Sequence, residues 1–446
     1  MTISRLIIGL VFVVSVGTIG SACDNKEYFT REQLLDPETC KDCHPKHYSE
    51  WKASMHAYAA DDPIFLAMNR RAQRETSGAL GDFCVKCHAP MAILEGATTD
   101  GLNLDEVPQH LKGVTCYFCH TVSAVEGTHN NPLVLTGKNV MLGGLDDAIE
   151  NEAHQTGYSV LHDRNSPESS SLCGSCHDIM TDDVHLERTF SEYKDSVFAD
   201  QPFDQTCSNC HMSGVNDVIA DVAGVKLRRR HSHAFPGVDT ALIDWPGKAE
   251  QLALIEDELS NTVQSRICFN PATSEIDLSL TNVGAGHMFP SGSAQDRRAW
   301  VEIKATKDGA LVLESGVIAD GDRVDLAADP LLWVMADHGF NAAGEVEHMF
   351  WKITRIESEL LPPSSTFDMT DPDFDHSVSR SYPTSGQPDR IDLVVRLRSV
   401  DLALIDDLIA SGDLESKYRA LIPTFDLEGS RLVWTAEAAG SDLCVP

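Results

Sequence analysis

The chain has 446 residues, with 35 lysines and arginines against 68 aspartates and glutamates, a formal net charge of −33. That length predicts two domains. A chain so acidic repels phosphate and is excluded as a nucleic-acid binder, while its field steers it toward basic partner surfaces.

Residues 1–22 carry one positive charge, at Arg5, then an apolar run over 6–19 and the small residues Gly20-Ser21-Ala22 before Cys23. This pattern predicts a bacterial secretory signal, too short and wrongly flanked for a membrane span. A small-residue run ending in cysteine resembles a lipoprotein cleavage box. Cys23 is therefore a candidate lipidated N-terminus that tethers the mature protein to a membrane surface. The expected location is the periplasm or cell surface of a Gram-negative-type bacterium.

Five copies of Cys-x-x-Cys-His follow. They occupy Cys40-Cys43-His44, Cys84-Cys87-His88, Cys116-Cys119-His120, Cys173-Cys176-His177 and Cys207-Cys210-His211. Each is an attachment motif for c-type haem: two thiols form thioethers to the porphyrin and the adjacent histidine ligates iron. Disulfides or zinc knuckles need no histidine after the second cysteine. Of the 13 cysteines the motifs use ten, leaving Cys23, Cys268 and Cys444. The expected cofactor is haem c, five copies, attached outside the cytoplasm.

Residues 23–240 are expected to form the haem domain, with weak apolar patterning because porphyrin replaces much of the core. Short helices are predicted over 30–35, 47–60, 63–77 and 190–198. An internal echo joins two of them. Glu50-Trp51-Lys52-Ala53-Ser54-Met55-His56-Ala57 matches Glu192-Tyr193-Lys194-Asp195-Ser196-Val197-Phe198-Ala199 at Glu, aromatic, Lys, Ser and Ala. His56 of the first copy is Phe198 in the second, so Phe198 either packs on a porphyrin or leaves an iron open. The run Arg228-Arg229-Arg230 suits haem propionates, since guanidinium forks match carboxylates; a solvated loop or docking patch is the other reading.

Cys40-x-x-Cys43-His44 followed by Trp51-x-x-Ser54-x-His56 resembles the multihaem cytochrome superfamily of hydroxylamine oxidoreductase and its tetrahaem electron-acceptor cytochrome. So do Gly113-Val114-Thr115-Cys116, Leu172-Cys173-Gly174-Ser175-Cys176-His177-Asp178 and Arg230-His231-Ser232-His233-Ala234-Phe235-Pro236-Gly237. The resemblance covers about residues 36–240. It implies a mostly helical domain with closely packed haems and mostly bis-histidine iron. The chain lacks the eight haems of that family's enzymes, so enzymatic activity does not carry over. By this resemblance the candidate distal ligands are His56, His231 and His233, with His154 and His162 ahead of the fourth motif; His129 is open, and His110 and His185 are weaker. Met55, Met91 and Met212 leave a His/Met iron open. His47 sits one turn beyond His44 and cannot reach the opposite face of that iron.

A helix over 247–259 is expected within a connector, 241–260. Beyond it, residues 274–282, 299–306, 310–316, 390–397 and 431–436 alternate apolar and polar between turns, which predicts an antiparallel β-sandwich over 261–446. The fold class is thus α+β in two domains. Cys268 and Cys444 would close a long loop in an oxidising compartment, worth roughly 4–5 kcal/mol. Gly286-His287-Met288-Phe289-Pro290-Ser291-Gly292 resembles a loop of sandwich domains attached to multihaem cytochromes, and His287 is expected to face a haem as ligand or propionate partner.

Two function classes follow. The favoured one is an electron carrier passing electrons between redox partners, either other cytochromes or quinol-linked membrane complexes, with no catalytic residue of its own. The alternative is a haem oxidoreductase acting on nitrogen or sulfur oxyanions at one five-coordinate iron.

Overall fold

The computed structural model describes residues 28–181, 184–200, 202–440 and 443–445. The expected signal, 1–22, and Cys23 lie outside the described residues. Among the described residues no helix is long and apolar enough to cross a membrane. The architecture is α+β: short helices and two-stranded pieces up to residue 231, then a helix and two antiparallel sheets.

Local chemistry breaks the first half into short pieces. Thr30 caps Arg31–Leu35 in a capping box closed by Gln33. The single helix expected over 47–60 is two helices, Pro45–Ala53 and Met55–Tyr58. Ser54 makes the break: its backbone is extended and its hydroxyl accepts from the Ala57 N–H, capping the second helix. Asp62 caps Pro63–Glu75, where Pro63 takes the first helical position, the one place its missing N–H costs nothing. Strand pairs that the sequence did not reveal lie between these helices. Val122–Val125 pairs with Leu133–Leu135, Val140–Gly143 runs parallel to Gln155–Tyr158, and Gly214–Val218 pairs with Leu227–His231. Each is too short for a period of two to stand out.

In the second half the alternation becomes a core. Val263–Asn270 buries Val263, Ser265, Ile267 and Phe269, and Glu275–Asn282 buries Ile276, Leu278 and Leu280. Those strands form a sheet in the order 378–383, 275–282, 263–270, 444–445. The other sheet runs 310–315, 298–307, 390–398, 424–435, with 334–335 paired to 298–307. Ile267 and Leu278 of the first sheet share one cluster with Val301, Ile303, Leu393, Val395 and Trp434 of the second, so the two sheets pack face to face. Each fully buried aliphatic there contributes about 1.5–3 kcal/mol.

Cys268 and Cys444 are bridged across 176 residues of chain, in a ladder where they are directly opposed. Replacing both by alanine is expected to cost roughly 5 kcal/mol by removing the loop constraint on the unfolded chain. Calorimetry checks this; a loss below about 1 kcal/mol would mean the ladder alone secures the C-terminus.

Two helices help join the halves. Lys248–Ser260 inserts Ile255 and Leu259 into the core between the two sheets, and its cap Gly247 (φ 70°) lies where a Cβ would meet the Ala53 Cβ at 2.4 Å. A helix missed in the sequence, Leu402–Ala410, is capped by Asp401 and packs Leu402, Leu404, Ile405 and Leu408 with Ala67 and Met68 of Pro63–Glu75. Ion pairs Arg71–Asp407 (2.9 Å) and Arg74–Asp413 (2.6 Å) flank that apolar seam.

Candidate haem sites

The motif cysteines sit on single helical turns, as in Cys116–His120 and Cys207–His211, where residues three apart share a face. Both thiols of a motif therefore meet the same edge of a ligand, and the histidine follows directly.

The imidazoles are oriented by the backbone. A carbonyl only accepts, so a ring nitrogen facing one carries the proton and leaves the other nitrogen's lone pair free. Among the motif histidines, Nδ1 donates to a carbonyl at His44 (Ile219, 2.8 Å), His88 (Ala59, 3.1 Å), His120 (Leu142, 2.6 Å) and His211 (Pro236, 2.9 Å). The same bond occurs at His154 (Gln155, 3.2 Å), His233 (His231, 3.3 Å) and His287 (Met288, 2.8 Å). Seven rings thus present a bare Nε2.

Six of these rings, together with His177 and His56, meet in pairs. Two imidazoles bound from opposite sides to one metal, each through a bond of about 2 Å, hold their ring centroids roughly 6 Å apart. His44 and His154 are 6.4 Å apart, His120 and His233 6.3 Å, His211 and His287 6.4 Å, and His177 and His56 6.2 Å. The first three pairs are near-parallel, at 29°, 17° and 12°, and the last is tilted by 55°. Burial pushes His56 and His120 down to about 3 and His177, His233 and His287 down to about 4, and it lowers His154 as well. All six are held neutral at physiological pH, the state a metal requires.

His88 differs. The ring packed on it is that of Phe65, 4.0 Å away and parallel within 3°, too close to lie across a shared metal.

The remaining candidates stand elsewhere. His162 stacks beside His120 at 5.5 Å, but its Nε2 donates to the Cys119 carbonyl. His231 lies on Leu227–His231, its carbonyl accepting from His233. His47 puts its ring edge on His233 at 4.7 Å and supports it from the side. His185 is tied to Asp178 through Nε2 and His129 to Thr128 through Nδ1. The propionate reading of Arg228-Arg229-Arg230 meets competing partners: Arg228 pairs with Asp147, and Arg230 forks onto Glu50 through two bonds of 2.7 Å.

The internal echo extends further than the sequence suggested. The Ser54 hydroxyl donates to the Trp51 carbonyl and the Ser196 hydroxyl to the Tyr193 carbonyl, both at 2.7 Å. The Val114 N–H donates to the His56 carbonyl and the Gln205 N–H to the Phe198 carbonyl, both at 2.8 Å. Trp51 Nε1 donates to the Val114 carbonyl and the Tyr193 hydroxyl to the Gln205 carbonyl, at 2.7 and 2.8 Å. Val114-Thr115-Cys116 and Gln205-Thr206-Cys207 thus fill the same place against each helix, and the shared threonine before cysteine was the signal available in sequence. Where the first copy offers His56, the second offers Phe198, and Phe198 packs against Gly286, one residue before His287. The second half of the chain brings a histidine to the position the echo leaves without one.

That histidine is held by a polar seam. The Asn282 amide donates to the His287 carbonyl (2.8 Å), Ser291 donates to Glu192 (2.6 Å), the Gly292 N–H donates to Thr189 (3.0 Å), and Arg188 reaches Asp337 (2.8 Å). Arg297 forks onto Asp239 at 3.0–3.1 Å and donates to the Ser291 carbonyl.

The first copy has its own constraint. Gly113 adopts φ 69°, and a Cβ there would lie 2.5 Å from the His56 carbonyl. Gly113→Ala is expected to cost roughly 1–3 kcal/mol in backbone strain and to displace His56. A melting curve and the absorbance of the ligand's metal report the two effects separately; unchanged values in both would contradict the contact.

The residues fit haem c. Cysteines of different motifs approach one another, Cys40 with Cys116, Cys173 with Cys207 and Cys87 with Cys176, as closely packed cofactors require. Donors are left over beside them: Arg164, 9% exposed, donates from Nε to Asn209 between the last two motif cysteines, while its Nη1 is buried with no protein partner. A buried guanidinium nitrogen without an acceptor is costly unless an anion meets it, and a propionate is an anion of the right kind. Sequence patterning gave no hint of Arg164, since a lone arginine in a loop carries no period.

Residues 39–121 match the protein family described as cytochrome c554 and c-prime. No protein of curated function is significantly similar to the chain. The fold is similar to the crystal structure of a penta-heme cytochrome c552 from Thermochromatium tepidum, with a TM-score of 0.60 and 18% identity, over 90% of this chain and 98% of that one.

Proposed function

We propose that this multihaem c-type cytochrome carries five haems, one on each motif, and relays electrons between a membrane-side donor and an extracytoplasmic acceptor. The observation that carries the reading is the set of four histidine pairs, each at the spacing of one shared metal. Haem c, when bound, supplies a one-electron couple whose potential is low with two histidine ligands. The chain's own part is to hold and orient. Cys40, Cys43, Cys84, Cys87, Cys116, Cys119, Cys173, Cys176, Cys207 and Cys210 would anchor the rings. His44, His88, His120, His177 and His211 would serve as proximal ligands, with His154, His233, His56 and His287 opposite all but His88. The cysteine contacts support the first motif beside the third, the fourth beside the fifth, and the second beside the fourth. Secretion by 1–22 and lipidation at Cys23 would set this relay at a membrane surface.

Protein-film voltammetry tests the reading. A span of reversible one-electron waves at low potential is expected; a protein with no reversible wave would overturn it.

The environment of His88 favours a second reading, a haem oxidoreductase acting on a small oxyanion. Phe65 packs on the His88 ring, and none of the four pairs brings a histidine opposite it, so the second motif's iron would have one face without a histidine ligand. Phe198, read in sequence as packing on a porphyrin or leaving an iron open, is followed across the domain seam by His287. Titration with nitrite and cyanide separates the readings: a spectral shift of about one haem in five supports the enzyme, and no shift supports the pure carrier.

A further inference from the structure

Beside the His211–His287 pair, two segments from different halves of the chain meet at the surface. The Phe203 ring lies 4.8 Å from that of Phe367 and 6.4 Å from that of Phe198, which packs on Gly286 next to His287. Phe203 is 46% exposed, Phe367 46%, Phe374 41% and Met369 81%. Single exposed apolar residues are ordinary, but four on two touching segments form a patch that solvent does not favour. Asp200, Asp368, Asp373 and Asp375 are exposed around it, and none is in an ion pair among the described residues.

The loop that carries the patch is tied to the loop that carries His287. His376 faces the Asn282 carbonyl through Nε2 (3.2 Å), Thr281 and Ser377 share a hydroxyl bond of 2.7 Å, and Asn282 donates to His287. An apolar centre with an uncompensated anionic rim, at the end of the proposed chain of cofactors, is complementary to one kind of partner: a basic redox protein whose own cofactor edge is apolar and ringed by lysines.

We infer that Phe203, Phe367, Met369 and Phe374, with the four aspartates, form the docking face for such a protein, which exchanges electrons at the haem between His211 and His287. This rests on the electron-relay reading. The apolar centre supplies the contact and the aspartates supply orientation and association rate.

The test is calorimetric titration of the full, haem-loaded protein with a basic mitochondrial-type cytochrome c at low and high salt. Asp368→Lys/Asp373→Lys is expected to raise Kd at least about tenfold at low salt and to flatten its salt dependence. Phe367→Ser/Met369→Ser is expected to raise Kd about tenfold while leaving the salt dependence intact. Glu275→Lys/Asp308→Lys makes the same change in net charge at the other end of the sheets and is expected to stay within about twofold. Equal weakening by the near and far charge reversals would reduce the effect to net charge and overturn the docking face. So would an unchanged Kd in both patch variants. Absence of haem from the unaltered protein defeats the relay reading itself and is visible before any titration.

Discussion

Replacing His287 by alanine is expected to raise the high-spin share of the iron by one haem in five. His287 is the partner of His211 at 6.4 Å, burial holds it neutral, and its Nδ1–H is committed to the Met288 carbonyl. Alanine removes the lone pair without touching the polar seam of Asn282, Ser291 and Arg297 beside it. The fifth motif's haem would then have one axial ligand and a higher potential. The His287→Met variant is the informative companion: it restores six-coordination with a softer ligand and is expected to raise that potential while the spin state stays low. Absorbance and redox titration of the two variants check this, and an unchanged spectrum in His287→Ala would place the ligand elsewhere.

Arg230→Ala is expected to cost about 3 kcal/mol, near the low end for breaking a buried ion pair because Glu50 keeps some exposure. Arg230 forks onto Glu50 and approaches Asp217, and Glu50 also accepts from the His233 N–H at 3.0 Å. The arginine therefore fixes the helix Pro45–Ala53 against the segment that bears His233, opposite His120. Loss of the fork leaves the Glu50 carboxylate held only by the backbone N–H of His233, so the readout is double: a lower melting temperature and a broadened signal from the haem that His233 would ligate. Arg230→Lys keeps the charge but not the two parallel bonds, and it is expected to recover less than half the stability. Full recovery by lysine would mean that charge alone matters.

Much of this architecture was legible in sequence because its signals are periodic or literal. The motifs are literal, and the strands over 275–282 and 390–398 alternate cleanly since one face of each is buried. What stayed hidden depends on tertiary context. The break at Ser54 is a cap inside a run that otherwise reads as one helix. Leu402–Ala410 is mostly apolar and sits between strands, so its length alone did not separate it from buried strand. Distal ligands are the hardest case. His154 and His162 are eight residues apart in similar surroundings, yet one has its Nδ1 on a carbonyl and its Nε2 free, and the other the reverse assignment of Nε2. No pattern of residue types encodes which nitrogen meets a carbonyl. The echo of 50–57 in 192–199 came nearest, because the substitution of Phe198 for His56 marks where His287 arrives from the other half.

The most direct measurement is low-temperature electron paramagnetic resonance and magnetic circular dichroism of the oxidised protein, with haem counted on the same sample. Five haems are predicted, at least four of them low-spin with two histidine ligands, and the spin state of the haem at the second motif separates the carrier from the oxidoreductase. Fewer than four bis-histidine haems would contradict the pairing of His44, His120, His177 and His211 with His154, His233, His56 and His287.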